Sequence, residues 1–310
     1  MGAIVSVVDT LGRAVVNGSL PALRAYMRYA PVRFGRLPLM GLLMRYHKTH
    51  RSRVVEASGP LGMRLVGETR DEIQSALYLC GVWEPNLTSW ICQRLGRGDG
   101  FVDLGANSGY FSILASRLVG PDGWVVAVEA QPSTYQRLER NVEFNRASNV
   151  RRVQIAVFDR MDVLPMYTPG LDAHSGLTSL LESPGFLRIG SVETATIENV
   201  LTSAEVETMR LMKIDIEGAE WNVLPSVSSL LKRCRSDLEI VVEITPYPGR
   251  STAALLQPFI ELGFSAYVLA DDVLDLVLRP KRVRAPEVMR DLELTERSNV
   301  ILSRVRAMTG

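Results

Sequence analysis

From Phe101 onward the hydrophobic positions fall into short solid runs separated by stretches of helical period. FVDLG, WVVAVE, VRRVQIAVFD, LMKIDIEG, LEIVVEIT, FSAYVLA and SNVILSRV have the length and composition of strands buried on both faces. Between them, NSGYFSILASRLVG sets Phe111, Leu114 and Leu118 on one face and stops at Gly120-Pro121. PSTYQRLERNVEFN sets Tyr135, Leu138 and Val142 on one face behind a Ser133-x-x-Gln136 capping box. Further helices are expected around residues 218–232 and 251–262. Strands alternating with helices predict an α/β fold, a mostly parallel sheet covered on both sides. Residues 160–200 break the rhythm: DVLPMYT, GLTSLLE and SVETATI predict short strands or hairpin arms inserted between the third and fourth sheet strands. Residues 1–50 read as helical pieces broken by prolines, with arginines alternating among Leu, Met and Tyr. The organisation expected is a basic helical extension or cap with short strands over 1–82, then the α/β domain over 83–310 with its insertion at 160–200.

Charge changes that picture in one place. The net charge of the 310 residues is +1, yet residues 1–55 hold nine Lys or Arg against one acid, Asp9, leaving an acidic remainder. The plain reading of the basic segment is a helical cap with solvated arginines. The sharper one is a patch that meets an anionic surface such as a lipid, giving peripheral membrane contact. An Arg-rich, acid-poor start also suits a transit peptide in a eukaryotic source. Cys80, Cys92 and Cys234 show no metal spacing and read as reduced thiols of a cytoplasmic protein. No run approaches the roughly 18 apolar residues of a membrane span.

The chemistry begins at DLGANSG. A strand runs into Asp103, then Gly105 and Gly109 open a helix. A dinucleotide loop wants three glycines so that a pyrophosphate can sit on the helix N-terminus. Here one glycine of that triplet is missing and a carboxylate precedes the first. An acid is misplaced beside a pyrophosphate but tolerates a sulfonium and an ammonium, so the loop favours S-adenosylmethionine over NAD. Glu129, twenty residues after Gly109 at a strand end, suits ribose hydroxyls in either ligand. Asp159, at the end of the third run, is a candidate for the adenine amino group or a plain turn residue. Taken alone the two glycines could serve only a tight turn and close helix packing, but with Glu129 at this spacing and after this strand pattern the binding reading leads.

DLGANSGYFSILASRLVGPDGWVVAVEAQPSTYQRLERNVEFN followed by LMKIDIEGAEWNVL, with WEPNLTSWICQRLGRGDG before and VEITP after, resembles the FkbM family of S-adenosylmethionine-dependent methyltransferases. The resemblance covers about residues 83–270. It implies a class I methyltransferase, Rossmann-like fold: a seven-stranded sheet in the order 3-2-1-4-5-7-6 with the last strand antiparallel. It implies methyl transfer to oxygen, on a hydroxyl of a sugar, glycolipid or polyketide. By motif position Asp103, Gly105, Ala106, Asn107 and Gly109 would line the methionine end, Glu129 the ribose, and Asp215 the space between cofactor and acceptor.

A hydroxyl acceptor needs a base, because an alcohol is not ionised near neutral pH. Asp215 and Glu217 alternate along KIDIEG and face one side if the strand continues that far. Otherwise Glu217 caps the following helix. His174, in LDAHSGLTSL of the insertion, has the ordinary pKa of a general base but is a lone loop histidine. Lys213 is expected to pair with a nearby acid. No Asp-Asp or Asp-Asn cluster stands beside Asp215, so no metal is expected. Neither an Asn/Asp-Pro-Pro-aromatic stretch nor a basic face on the α/β domain points to nucleic acid. A non-catalytic S-adenosylmethionine-binding scaffold and, behind it, an NAD(P)-dependent oxidoreductase are the rival functions.

Overall fold

A computed structural model describes residues 20–30, 34–49, 52–169, 178–270, 277 and 283–305. Helical residues 20–29 (α1) and α2 (Arg36–Thr49) lead into a hairpin of β1 (Val54–Ser58) and β2 (Arg64–Glu68). Then come α3 (Glu72–Cys80), α4 (Pro85–Arg94), β3 (Gly100–Leu104), α5 (Tyr110–Val119), β4 (Trp124–Val128), α6 (Pro132–Phe144) and β5 (Val150–Val153). The insertion holds β6 (Ala156–Val157), β7 (Asp162–Thr168) and β8 (Leu187–Ala195), followed by the short helices α7 (Ile197–Val200) and α8 (Ser203–Thr208). The chain closes with β9 (Met209–Ile214), α9 (Glu220–Leu230), β10 (Glu239–Ile244), α10 (Thr252–Glu261), β11 (Ser265–Leu269), β12 (Glu287–Val288) and β13 (Ser298–Ser303).

The main sheet has the order β12-β11-β13-β10-β9-β3-β4-β5. Strands β5, β4, β3, β9 and β10 run parallel, and β13 is antiparallel to both β10 and β11. Without its edge piece the sheet follows the 3-2-1-4-5-7-6 order that the resemblance implies. The two-residue β12 pairs with β11 as an eighth strand, one more than expected. Alternate residues serve opposite faces: Val102, Leu104, Val126 and Val128 join one core, Phe101, Val125 and Ala127 the other. That period of two is why these runs are apolar throughout.

Three local expectations fail for identifiable reasons. VRRVQIAVFD is not one strand. It leaves the main sheet after Val153, and Ala156–Val157 pairs instead with β8 in a small sheet of order β6-β8-β7. The Ser133-x-x-Gln136 box does not cap α6, because Pro132 takes the first helical position and Gln131 the cap. Three arginines of the basic N-terminal helices are turned inward and not solvated, while Arg45 is exposed as expected. Arg24 donates to Tyr78 O, and Arg28 to Leu77 O and Ser58 O. Arg36, almost fully buried, donates to Ala30 O and Tyr26 O. Tyr78 and Leu77 lie in the last turn of α3, where free carbonyls attract cations.

The hairpin and α3 share the core of the sheet: Ala57, Met63, Leu65 and Leu77 pack in one cluster with Phe101, Ile113, Val125 and Leu138. Asn141 of α6, fully buried, fastens this junction. Its Oδ1 accepts from Val66 N at 2.8 Å and its Nδ2 donates to Ser108 O at 2.9 Å. Among the described residues no helix is long and apolar enough to cross a membrane.

Candidate active site

The loop after β3 is built by close backbone approach. Gly105 has φ +80°, and a Cβ placed on it would lie 1.7 Å from the carbonyl oxygen of Asp215. Gly109 has φ +93° at the start of α5, with Leu138 Cδ1 2.8 Å from its Cβ position. Both glycines therefore permit the turn and the close packing of the loop. Gly105 and Ala106 N–H groups donate to Val128 O at 3.0 and 2.8 Å, which hitches the loop to β4. Asn107, at φ +49°, donates its N–H to Glu129 Oε2 at 2.9 Å, while Gln131 N–H donates to Oε1 at 2.9 Å. Burial pushes the Glu129 carboxyl up to about 7, against the pull of those two N–H groups.

The second loop follows β9. That strand stops at Ile214, so Asp215 and Glu217 do not alternate along it as conditionally expected. Glu217 instead takes φ +52° in a turn. Nor does Glu217 cap α9. The N-cap is Ala219, without a side-chain cap, and Glu220, the first helical residue, ties down the loop by accepting from Ile216 N and Gly218 N at 2.8 Å each. Lys213, 4% exposed, places Nζ 3.0 Å from Asp215 Oδ2 and 3.9 Å from Asp103 Oδ1. Burial works against its charge, but Asp215, Asp103 and Glu84 outweigh it and hold the ammonium above the ordinary lysine value. Asp103 is fully buried and accepts from Ser112 Oγ at 2.6 Å, with Oδ1 left without a hydrogen bond.

Glu243, near the end of β10, completes an acidic cluster. Its carboxyl shares a hydrogen bond with Asp215, and Arg297 forms an ion pair with it from the start of β13. Arg297 also stands 4.0 Å from Glu217 Oε1. Burial and the Asp215 charge push both Glu217 and Glu243 up to about 8. Burial pushes Asp215 the same way, but Lys213 overrides it and keeps that carboxyl below the usual range. One acid of the cluster is thus held ionised beside two that hold protons near neutrality.

Between the two loops lies a cavity of about 720 Å³. Gly105, Ala106, Asn107, Glu129, Asp215 and Glu217 all line it. Trp83, Glu84 and Phe111 form one wall, and Met166 and Ser179–Leu180 of the insertion another. Asp103 and Gly109 lie behind the lining. Asp159 is not among the lining residues; it accepts from Asn222 Nδ2 at 2.8 Å and pairs with Arg160 at 3.0 Å. Ile155–Val157 reach the cavity in its place. His174 lies outside the described residues. Glu243 and Arg297 were missed. Glu243 carried a signal, an acid at a parallel strand end next to that of Asp215, but Arg297 carried none.

The Methyltransferase FkbM domain matches residues 103–276, more than half of the chain. This chain belongs to the FkbM methyltransferase family. Among curated proteins it is 30% identical over 155 residues to Methyltransferase sdnD of Sordaria araneosa, a match covering 41% of this chain and 59% of that protein. It is 25% identical over 137 residues to Protein-L-isoaspartate O-methyltransferase of Fervidobacterium nodosum, covering 41% and 66%. The chain thus spans under two thirds of either relative. Among solved structures, SMU.1697c of Streptococcus mutans, a putative methyltransferase in complex with SAH, gives a TM-score of 0.40 at 12% identity, covering 71% of this chain and 96% of that one. Cofactor-bound Rv0187 from MTB gives 0.39 at 12%, covering 92% and 96%. Likenesses that slight add nothing about this chain.

As an FkbM methyltransferase the protein uses S-adenosylmethionine, and the residues present suit that cofactor. The inner end of the cavity is rich in carboxylates, appropriate to a ligand bearing an ammonium and a sulfonium. Glu129 is fixed by two backbone N–H groups beside the glycine loop, which leaves its remaining lone pairs for hydroxyl donors. Phe111, Val128 and Ile155 supply apolar wall.

Proposed function

We propose that this FkbM methyltransferase transfers its methyl group to a hydroxyl oxygen of a small molecule, sugar, glycolipid or polyketide-type acceptor, and that neither a nucleic acid nor a metal takes part. The observation that supports this most is the Asp215–Glu217–Glu243 cluster lining the cavity beside the glycine loop. S-adenosylmethionine, when bound, supplies a methyl on a positively charged sulfur, open to in-line displacement. Everything else falls to the chain: positioning, exclusion of water and removal of one proton. Asn107 and Glu129 hold the ribose side. Asp215, kept ionised by Lys213, holds the ammonium or orients the acceptor. Glu217 and Glu243 are the proton acceptors in the fraction that is ionised, a minority at neutral pH that grows towards pH 8, because a carboxylate whose pKa is raised is a stronger base than an ordinary one. His174 remains a candidate base from the insertion.

Transfer of labelled methyl from S-adenosylmethionine to a panel of hydroxylated acceptors tests this, alongside calorimetric titration of S-adenosylhomocysteine. Glu243→Gln should keep S-adenosylhomocysteine binding within a few-fold and lose about 100-fold or more in transfer rate. Undiminished transfer in both Glu217→Gln and Glu243→Gln, or a methyl group that lands on nitrogen or carbon, would sink the proposal. Tight S-adenosylhomocysteine binding with no transfer to any acceptor would favour the scaffold reading.

A further inference from the structure

The N-terminal helix pair has an unusual distribution of side chains. Met27, Met40 and Leu43 face inward and pack on Ala76 and Leu79 of α3. With Arg24, Arg28 and Arg36 also turned inward, the exposed side of the described residues is mostly apolar, with Arg45 as its cation. Ala22, Ala25 and Tyr29 repeat at helical spacing along the exposed side of α1. Phe34, at the turn, is 90% exposed, and Leu37 and Leu42 continue the exposed side of α2 at 39% and 62%, with Tyr29 at 76%. An exposed side this rich in large apolar residues marks an interaction surface.

The charge identifies what covers it. No acid occurs between Asp9 and Glu56, while nine Lys or Arg lie in that stretch. The three inward arginines donate to backbone carbonyls, which carry no charge to cancel theirs. A second copy of the chain would bring this cationic segment against itself. An anionic bilayer offers the complement in both respects: a negative surface for the net positive charge of the segment, with Arg45 exposed towards it, and, just beneath, hydrocarbon for Phe34, Leu42 and Tyr29.

We propose that the outer face of α1 and α2 docks on an anionic membrane surface, with Phe34, Tyr29 and Leu42 as its apolar anchors. The same α3 that carries this pair on Ala76 and Leu79 lines the cavity with Glu72 and Ile73 of its first turn. Docking therefore sets the cavity one helix away from the lipid, which suits a hydroxylated acceptor held on a lipid anchor. That last step rests on the hydroxyl-methylation reading, whereas the docking itself does not.

The test is co-sedimentation of the full chain with vesicles of phosphatidylcholine alone or mixed with phosphatidylglycerol, at low and high salt. The expected result is partition onto the mixed vesicles only, weakened by salt. It should fall at least about tenfold in Phe34→Glu/Leu42→Glu, where two apolar anchors become anions. Because both positions are exposed, the double variant should titrate S-adenosylhomocysteine as the wild type does, which reports the fold and the cofactor site separately from docking. Absence of partition onto the mixed vesicles, or partition that the double variant leaves unchanged, overturns the proposal. So does light scattering that shows a dimer broken by the double variant, since a second copy would then occupy the face. If neither form binds S-adenosylhomocysteine, the catalytic reading fails while the vesicle result is judged on its own.

Discussion

Gly105→Ala tests how the two loops of the site are held together. At φ +80° an alanine is strained by about 1–2 kcal/mol. The larger effect is steric. The new methyl would stand 1.7 Å from Asp215 O, and ordinary contact begins at 3.4 Å. The obstacle is backbone, so no rotamer change relieves it, and the loop bearing Asp215 and Glu217 must back away. A displacement of that size should cost about 100-fold or more in transfer rate. It should also lower the melting temperature by several degrees, at roughly 2–4 °C per kcal/mol for a chain approaching this length. Gly109→Ala is the internal control, because its obstacle is the flexible end of Leu138 at 2.8 Å. Thermal unfolding and S-adenosylhomocysteine titration on both variants give the comparison. The reasoning is refuted if Gly105→Ala binds S-adenosylhomocysteine and melts like wild type, or if Gly109→Ala is the worse of the two.

Removing Lys213 should be severe. Lys213→Met leaves the buried Asp103 and the half-buried Asp215 without their cation, worth about 3–5 kcal/mol, roughly 10 °C in melting temperature. A loss under about 2 °C would show that the acids do not depend on it. The acid cluster also sets a pH dependence. Glu217 and Glu243 are pushed up to about 8, so the folded chain keeps protons there that the unfolded chain releases above its ordinary carboxyl pKa. Stability from these groups is present at low pH and declines as pH rises from about 4.5 towards 8. Glu243→Gln removes one such group, so its melting temperature relative to wild type should climb across that window and level off above it. Parallel curves would refute the assignment.

The sheet was readable because most of its strands are largely apolar runs, the two-residue β12 (Glu287–Val288) and β5 (VRRV) excepted, and KIDIEG and DLGANSG because their residues act within one loop. What escaped depended on pairing at long range. Arg297 reaches Glu243 only because β13 returns antiparallel to β10, with Asn299 opposite Glu243. The departure of Ala156–Val157 to another sheet depends on β8, some forty residues on, and nothing within VRRVQIAVFD marks it. The inward turn of Arg24 and Arg28 answers to carbonyls at the end of α3, about fifty positions away. Local pattern shows that arginine alternates with leucine, but it does not show which of them faces water.

Asn141 has a consequence for how this enzyme could be divided or recombined. One amide side chain ties the β1–β2 hairpin to the loop that bears Asn107 and Gly109, across 75 residues on one side and 33 on the other. The region that matches the family begins at Asp103, yet the smallest fragment that keeps the loop's support begins near Val54. An exchange of front ends between relatives should therefore be spliced ahead of the hairpin, between α2 and β1. A join placed after α3 would graft a foreign hairpin onto Asn141 and alter the cofactor loop along with the acceptor side.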